Sequence, residues 1–357
     1  MNNKILTSLI LALMIGVIVY FFIQAPHTNQ KTATSNAELE KKSSQSEYNL
    51  RFGHNLPINS GMHKAAIMFA EEVFRQTQGR VSVTVFPNQE LGNDHHMVEM
   101  ARAGELDILL TPTAKMSVPV PAMQFADLPF LFPDREVAYA VLDGEPGQLL
   151  LKKLRNINLT GVTFWENGFK HFTANKSLTT PDDFSGMKMR VMKSRIIMEQ
   201  FKALGATPVP IDFHATRQAL ADGVVDGQEN PLVAIVNMGF HEVQSHITLS
   251  SHAYLGYVLS FSSKVYDDLP QDIQQILKDA VTKVTQWQRQ ETLRKEAEFI
   301  AVIEQAGVIV EKLTPEQRQL FEEKTRDIAD QFKLIIGAEI LSKAYEIIQA
   351  SSPATTQ

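Results

Sequence analysis

The chain of 357 residues contains no cysteine. This absence excludes a disulfide scaffold, a zinc ribbon, an iron–sulfur cluster and a cysteine nucleophile. The chain also lacks an excess of positive charge, because 34 Lys and Arg are outnumbered by 40 Asp and Glu, which gives a net charge of -6. A nucleic-acid binder would normally present a basic stripe, so we expect no nucleic-acid partner.

The short signatures of common enzymes are missing as well. The sequence has none of the patterns G-x-S-x-G, G-x-x-x-x-G-K-[ST], G-x-G-x-x-G or H-E-x-x-H. The adjacent His95 and His96 do not suit one metal ion, because neighbouring side chains on a helix point roughly 100° apart. We therefore expect no enzymatic activity, no cofactor and no metal. The composition that is present, 44% apolar and 21% charged, is typical of a folded protein of two to three domains.

The N-terminus predicts export from the cytoplasm. Lys4 is followed by an uncharged apolar run over residues 5–23, which is long for a cleaved signal and almost long enough to span a bilayer. We expect residues 1–24 to be a signal peptide or an uncleaved membrane anchor. The polar residues 25–47 are interpreted as a flexible linker. The remainder is expected in the periplasm, with a possible anchor in the inner membrane.

The body of the chain alternates between strand and helix patterns. Residues 48–53 and 81–86 read as strands, and apolar residues at helical spacing follow over 60–78 and 94–103. This rhythm predicts an α/β fold with parallel sheet covered by helices. Further strands are predicted at residues 107–110, 161–165, 187–191, 257–263 and 308–313.

One predicted helix is longer than a small domain requires. Apolar residues recur every three or four positions from Ile273 to Ile303. We infer a single helix that runs across two lobes. Thr314 and Gln317, with Pro315 between them, form a capping-box pattern that starts another helix.

Several segments, in this order and spacing, resemble the solute receptors of TRAP (tripartite ATP-independent periplasmic) transporters. They cover about residues 48–325. The segments are 86–92 (FPNQELG), 125–132 (FADLPFLF), 165–175 (WENGFKHFTAN), 187–191 (MKMRV), 204–213 (LGATPVPIDF), 226–231 (DGQENP) and 240–244 (FHEVQ).

The resemblance implies the two-lobe fold of periplasmic binding proteins, with hinge strands and one long helix spanning both lobes. Its predicted lobes are residues 48–167 with 256–295, and 168–255 with 296–350, followed by a disordered tail at 351–357. It also implies capture of a small organic anion by cleft closure and delivery to the membrane subunits of a sodium-coupled permease. We expect a monomer. A sensor that serves a signalling partner is the alternative role.

The resemblance further implies three ligand-binding residues in the second lobe. Arg190 matches the family arginine that binds the ligand carboxylate, and a planar guanidinium suits that group with two parallel hydrogen bonds. Asn230 matches the asparagine that donates to the same carboxylate, with a turn-forming role before Pro231 as the alternative. Phe213 matches the aromatic residue that lines the cleft, with core packing as the alternative.

Lys170 departs from the arginine that many family members have at this position. A lysine could bind a second carboxylate or neutralise the site, and it favours a C4-dicarboxylate ligand; sugar acids such as uronates are the alternative. Glu90 and Asn93 are candidate first-lobe residues in a loop near the cleft. Asn167 and Trp165 are candidates on the hinge side, and Trp165 equally suits the core.

Overall fold

The structure, a computed structural model, describes residues 46–351. The predicted signal or anchor at 1–24, the predicted linker apart from its last two residues and the predicted tail after residue 351 lie outside this range. None of the described helices is both long enough and apolar enough to cross a bilayer.

The strands of the described residues, in chain order, are β1 (Tyr48–His54), β2 (Val81–Phe86), β3 (Ile108–Pro112), β4 (Leu159–Phe169), β5 (His171–Ala174), β6 (Lys188–Val191), β7 (Thr207–Pro210), β8 (Gly227–Asn230), β9 (His246–Leu249), β10 (Tyr254–Ser262) and β11 (Ile309–Lys312). The helices are α1 (Gly61–Gln76), α2 (Asp94–Ala103), α3 (Thr113–Met116), α4 (Arg135–Asp143), α5 (Glu145–Lys153), α6 (Arg195–Ala203), α7 (Thr216–Ala221), α8 (Leu232–Asn237), α9 (Ser263–Tyr266), α10 (Gln271–Gln305), α11 (Pro315–Thr325), α12 (Ile328–Ile336) and α13 (Ala338–Ser351). Short 3-10 turns lie at Pro121–Asp127, Leu154–Ile157, Pro181–Phe184 and Phe240–Glu242.

The first sheet has the strand order β2-β1-β3-β10-β4. Strand β1 runs parallel to β2 and β3, as the strand–helix rhythm predicts. Strand β10 arrives from the other sheet and runs antiparallel to both of its neighbours, so the sheet is mixed rather than all parallel. Helix α1 begins where Ser60 accepts a hydrogen bond from the His63 amide, and it buries an apolar face that includes Phe69 and Val73.

The second sheet has the order β11-β9-β5-β8-β6-β7. Strand β6 is parallel to β7 and β8, and β5 is antiparallel to β8 and β9. The alternative role of Asn230 as a turn-forming residue is wrong, because Gly227–Asn230 form β8 and pair with two neighbouring strands.

Helix α10 has 35 residues and connects the two sheets, which confirms the predicted long helix. Its first half buries residues such as Ile273 and Leu277 in the core of the first sheet. Near its end, Ile303 packs in the core that includes Ile247 of the second sheet. The chain also crosses between the sheets from β4 to β5 and from β9 to β10. We call each sheet with its packed helices a lobe.

The C-terminal helices return to the first lobe. Residues Phe332 and Ile340 of α12 and α13 pack in one cluster with Val137 and Leu150 of α4 and α5. The predicted division grouped residues 296–350 with the second lobe, and the packing of α12 and α13 differs from that grouping. The reason is local: α13 packs on α4 and α5, and α12 packs on the 3-10 turn Pro121–Asp127 and on α13. The remaining lobe boundaries stay a prediction.

Candidate functional site

Arg190 and Asn230 lie at the carboxyl ends of two neighbouring parallel strands, β6 and β8. Arg190 is in register with Gln228, and Asn230 follows two residues later on the same strand. Because side chains alternate across a strand, these three side chains share one face of the sheet. The carboxyl edge of parallel strands is where open α/β sheets bind ligands.

The guanidinium of Arg190 is buried without a carboxylate partner. Only 1% of the residue is exposed, and its Nε and Nη2 donate to the Ile211 carbonyl oxygen at 3.0 and 2.8 Å. Within residues 46–351 it makes no ion pair. Burial lowers the pKa of Arg190 to about 10, against the attraction of Glu229, Asp212 and Asp94. The group therefore remains charged at neutral pH, and an unpaired buried charge is costly. An anion docked on it would remove that cost.

A chain of hydrogen bonds positions the Asn230 amide. Its Nδ2 donates to Gln228 Oε1 at 2.5 Å, and Gln228 Nε2 donates to Thr173 Oγ1 at 3.0 Å. The Thr173 hydroxyl in turn donates to Gln244 Oε1 at 3.2 Å. All four side chains are buried. An amide nitrogen carries two hydrogens, so Asn230 keeps one for a ligand beside Arg190.

Lys170 lies on the opposite face of the second sheet. Its Nζ donates to Glu229 Oε1 at 2.8 Å, and Glu229 alternates with Gln228 and Asn230 along β8. The ammonium is fully buried and lies 4.0 Å from Asp127 Oδ1. The sequence interpretation expected this lysine to bind a second ligand carboxylate or to neutralise the site, whereas the structure shows it bound to the buried carboxylate of Glu229.

Glu229 is held from both sides. The charge of Lys170 and a hydrogen bond from His252 outweigh the effect of burial and lower the pKa of Glu229 to about 2. Burial lowers the pKa of His252, so this imidazole is neutral. A carboxylate can only accept, so His252 Nε2 donates to Glu229 Oε2 at 2.7 Å. The other ring nitrogen then accepts from the Ser250 hydroxyl at 2.7 Å.

Asp127 is the second carboxylate near Lys170. It is fully buried, with the Lys170 ammonium at 4.0 Å and the Ser194 hydroxyl close enough to favour its ionised form. Burial raises the pKa of Asp127 to about 6, although Lys170 acts in the opposite direction. This group therefore titrates near neutral pH.

The aromatic candidates pack in the cores. Phe213 is 7% exposed and packs edge-on against Phe240 at 6.1 Å between ring centroids. Trp165 is fully buried, and its Nε1 donates to Thr285 Oγ1 of α10 at 2.8 Å. Asn167 is buried at a β-bulge, because Leu255 pairs with Gly168 and the next residue of β10 pairs with Glu166. A bulge re-aims the side chain of the extra residue.

The two first-lobe candidates lie at the surface. Glu90 is exposed, and the exposed Asn93 caps helix α2 by accepting a hydrogen bond from the His96 amide at 3.0 Å. The oxygen of Asn93 is therefore engaged in the helix cap. The structure does not bring either side chain together with Arg190.

A polar network of first-lobe residues, which the sequence interpretation missed, comes close to Arg190. Tyr257 donates to Asn55 Oδ1 and Asn55 Nδ2 donates to Asp94 Oδ2, both at 3.2 Å. Asp94 and Tyr257 lie close enough to influence the pKa of Arg190. Asn55 follows β1, and Thr113, whose buried hydroxyl has no partner within residues 46–351, follows β3. In the sequence, these residues could have been found as polar residues that directly follow predicted parallel strands.

The lobes touch directly beside this group. His214 Nε2 of the second lobe lies 2.9 Å from the Asn55 carbonyl oxygen of the first lobe. The Ser117 hydroxyl donates to the Lys193 carbonyl oxygen at 3.3 Å, also between the lobes. Arg190, which lies beside Gln228 on the second sheet, is thus close to the buried polar network of Asn55, Asp94 and Tyr257 on the first sheet.

Comparison with known proteins identifies the class of protein to which the chain belongs. Residues 52–334 match the family model of bacterial extracellular solute-binding proteins, family 7. The chain belongs to this family. It is 35% identical over 295 residues to the C4-dicarboxylate-binding periplasmic protein DctP of Rhodobacter capsulatus, which covers 82% of this chain and 89% of the relative.

Solved structures of TRAP periplasmic solute-binding proteins share the two-lobe fold. One from Sulfurospirillum deleyianum with bound succinate has a TM-score of 0.81 and 35% identity, and covers 85% of this chain and 100% of the other. A sugar acid binding protein from Advenella mimigardefordensis in complex with galactonate has a TM-score of 0.82 and 34% identity, with 85% and 98% covered. The predicted fold and family are confirmed. These relatives are transport receptors, not enzymes.

Proposed function

We propose that this protein is a periplasmic receptor that encloses a C4-dicarboxylate between its lobes and delivers it to a sodium-coupled TRAP permease. The observation that carries the proposal is the buried, permanently charged Arg190 without a carboxylate partner. A guanidinium fork matches one carboxylate, and the free hydrogen of Asn230 adds a third donor.

Closure would supply the rest of the site. In our proposal the first lobe contributes Tyr257, which lies near Arg190, the Asn55 amide bonded to Tyr257, and the unpartnered Thr113 hydroxyl. A ligand that contacts both lobes binds the closed form better than the open one, and this difference shifts the equilibrium toward closure. The permease would thus recognise the ligand-bound receptor by its closed lobe arrangement.

The second carboxylate of a dicarboxylate needs a second cation. Lys170 does not serve, because Glu229 binds it. The half-buried Lys115 of the first lobe is the better candidate, since its charge opposes the rise that burial causes in the pKa of Asp94. The similarity to the Rhodobacter capsulatus protein and to the succinate-bound receptor supports this ligand class.

A sugar-acid ligand is the second candidate, and Asp94 favours it. A buried carboxylate opposite Arg190 accepts hydrogen bonds from hydroxyl groups and repels a second carboxylate. The galactonate-bound neighbour supports this alternative.

Calorimetric titration separates the two ligand classes. The purified protein would be titrated with succinate, malate, fumarate, galactonate and glucuronate, and so would the variants Lys115→Met and Asp94→Asn. A dicarboxylate receptor binds succinate, and Lys115→Met weakens that binding. A sugar-acid receptor binds galactonate or glucuronate, and Asp94→Asn weakens that binding. Tight binding that survives Arg190→Ala would contradict both.

A further inference from the structure

A cluster of charged side chains lies where the chain leaves the first lobe. Arg135, the first residue of α4, donates through Nε to Glu166 Oε1 of β4 at 2.6 Å. Its Nη2 donates to Glu296 of α10, and the Tyr139 hydroxyl donates to the second oxygen of Glu166. One guanidinium thus joins a first-lobe helix to two of the elements that connect the lobes.

Strand β4 and helix α10 are also tied by Gln288. Its side chain accepts from the Glu166 amide at 2.9 Å and donates to the Glu166 carbonyl oxygen at 2.6 Å. Gln288 and Glu296 lie about two helical turns apart on α10. Of these two residues of α10, Glu296 is therefore closer to the helix end that packs on the second lobe, where Ile303 is buried.

The cluster also lies against a backbone pivot. Gly168 has a φ of +114°, which side-chain-bearing residues rarely adopt, and it is the second-last residue of β4, just before the chain crosses to β5. A Cβ placed on Gly168 would lie 3.4 Å from Glu296 Oε1 and 3.9 Å from Arg135 Nη2. Closure of two lobes requires such a pivot and the long helix to change together.

We propose that Arg135 is a positioning residue of the hinge: by binding Glu166 and Glu296 at once it holds β4 and α10 together in the closed form. This inference depends on the proposed function only in that closure accompanies ligand capture. The cluster is intact in a conformation in which the lobes touch at His214 and Ser117, so we assign it to the closed form. Loss of Arg135 therefore favours opening and speeds ligand release, although Arg135 does not touch the ligand.

Arg289 provides a matched control. It also joins α10 to α4, through Asp143 at 2.6 and 2.8 Å, but seven residues earlier on α10 than Glu296. Arg289 also donates to the Phe164 carbonyl oxygen of β4 at 3.2 Å. Arg289→Met therefore removes contacts of α10 with both α4 and β4, while the hydrogen bonds of Arg135 to Glu166 and Glu296 stay in place.

Inter-lobe distance is the decisive measurement. Because the chain has no cysteine, Glu71→Cys in the first lobe and Val224→Cys in the second, both exposed, allow specific spin labelling. Distances would be measured by double electron–electron resonance for the otherwise wild-type protein, Arg135→Met, Glu296→Gln and Arg289→Met, without ligand and with succinate or galactonate. Association and release rates of the same variants would be measured by stopped flow.

We expect Arg135→Met to enrich the longer inter-lobe distances and to weaken binding about 5- to 30-fold, mainly through faster release. Glu296→Gln should act in the same direction with a smaller effect, and Arg289→Met should keep the wild-type distances. Wild-type distances and release rates in Arg135→Met, or an equal change in Arg289→Met, would overturn the inference. If no acid binds the wild-type protein, the proposed function fails, and the ligand-free distances still decide the role of Arg135.

Discussion

Two buried cations of the second sheet differ in what surrounds them. Lys170 has Glu229 at 2.8 Å and Asp127 nearby, whereas the hydrogen bonds of Arg190 within residues 46–351 go to the Ile211 carbonyl oxygen. Both are almost completely excluded from water. A buried cation with its own carboxylate is internally neutralised and contributes to the fold. A buried cation without one has its charge available for a ligand. Under the proposed function, the same sheet thus has a structural face and a binding face.

Removal of the partner of Lys170 should give the largest effect. Glu229→Ala leaves a buried ammonium with only Asp127 near it, and we expect a loss of about 3–5 kcal/mol in the free energy of unfolding. Urea denaturation measures this. Glu199→Ala, which removes the exposed pair with Lys202, should change stability by at most about 1 kcal/mol. A wild-type midpoint for Glu229→Ala would mean that the pair is not structural.

Asp127, the second carboxylate near Lys170, predicts that the free energy of unfolding depends on pH. The pKa of Asp127 is about 6 in the fold and 3.8 as a reference, so its contribution to stability is present below pH 3.8 and lost as pH rises through 6. Asp127→Asn cannot ionise, so the variant keeps its free energy of unfolding as the pH rises through 6. We expect the variant to be more stable than wild type at pH 8, by at most roughly 3 kcal/mol, and equal to it below pH 4. Urea unfolding at both pH values measures this difference in stability. The same difference between variant and wild type at both pH values would show that Asp127 does not titrate with a raised pKa.

On the binding face, Arg190→Met should affect ligand and fold in different ways. Affinity should fall about 10- to 150-fold, since a charge-assisted pair is worth roughly 1.5–3 kcal/mol. The ligand-free protein should not lose stability, because an unpaired buried charge is removed. Calorimetry and urea unfolding of the same sample measure both. Arg217→Met, at the exposed pair with Glu242, serves as the control and should bind normally.

The amide beside Arg190 should contribute least. Asn230→Ala removes one hydrogen bond to the ligand, for which we expect a loss of about 1 kcal/mol or roughly fivefold in affinity. Asn230→Asp should weaken binding more, because it places a negative charge next to the carboxylate. If both variants bind like wild type, Asn230 belongs to the fold rather than to the site.

Much of the architecture followed from local patterns. The spacing of apolar residues predicted α10 as one helix because a 3.6-residue period persists over many turns. Alternation along β8 could also have shown that Glu229 points away from Gln228 and Asn230, since the period of a strand is 2. This alternation would have placed Lys170 on the other face only if its pairing with Glu229 had been known, and that pairing is not visible in the sequence.

The first-lobe part of the site was not predictable in this way. Asn55, Asp94 and Tyr257 come from three distant segments, and Tyr257 lies 202 residues from the Asn55 that it binds. Only the order of strands in the first sheet places β10 beside β3, and hence Tyr257 near the carboxyl end of β1. Glu90 and Asn93 were chosen for their proximity in sequence to a strand end, and their side chains lie at the surface.

The sequence by itself determined the alternation of strands and helices, the long helix and the family, because these depend on periodicity and on ordered local motifs. Only the tertiary structure decided which cation is free. Lys170 and Arg190 are both basic residues near strand ends, and nothing local distinguishes them. Glu229 lies 59 residues from Lys170 and reaches it through the pairing of β5 with β8. The Coulomb energy of a buried charge depends on such neighbours in space, and these are fixed by strand order and side-chain direction rather than by sequence distance.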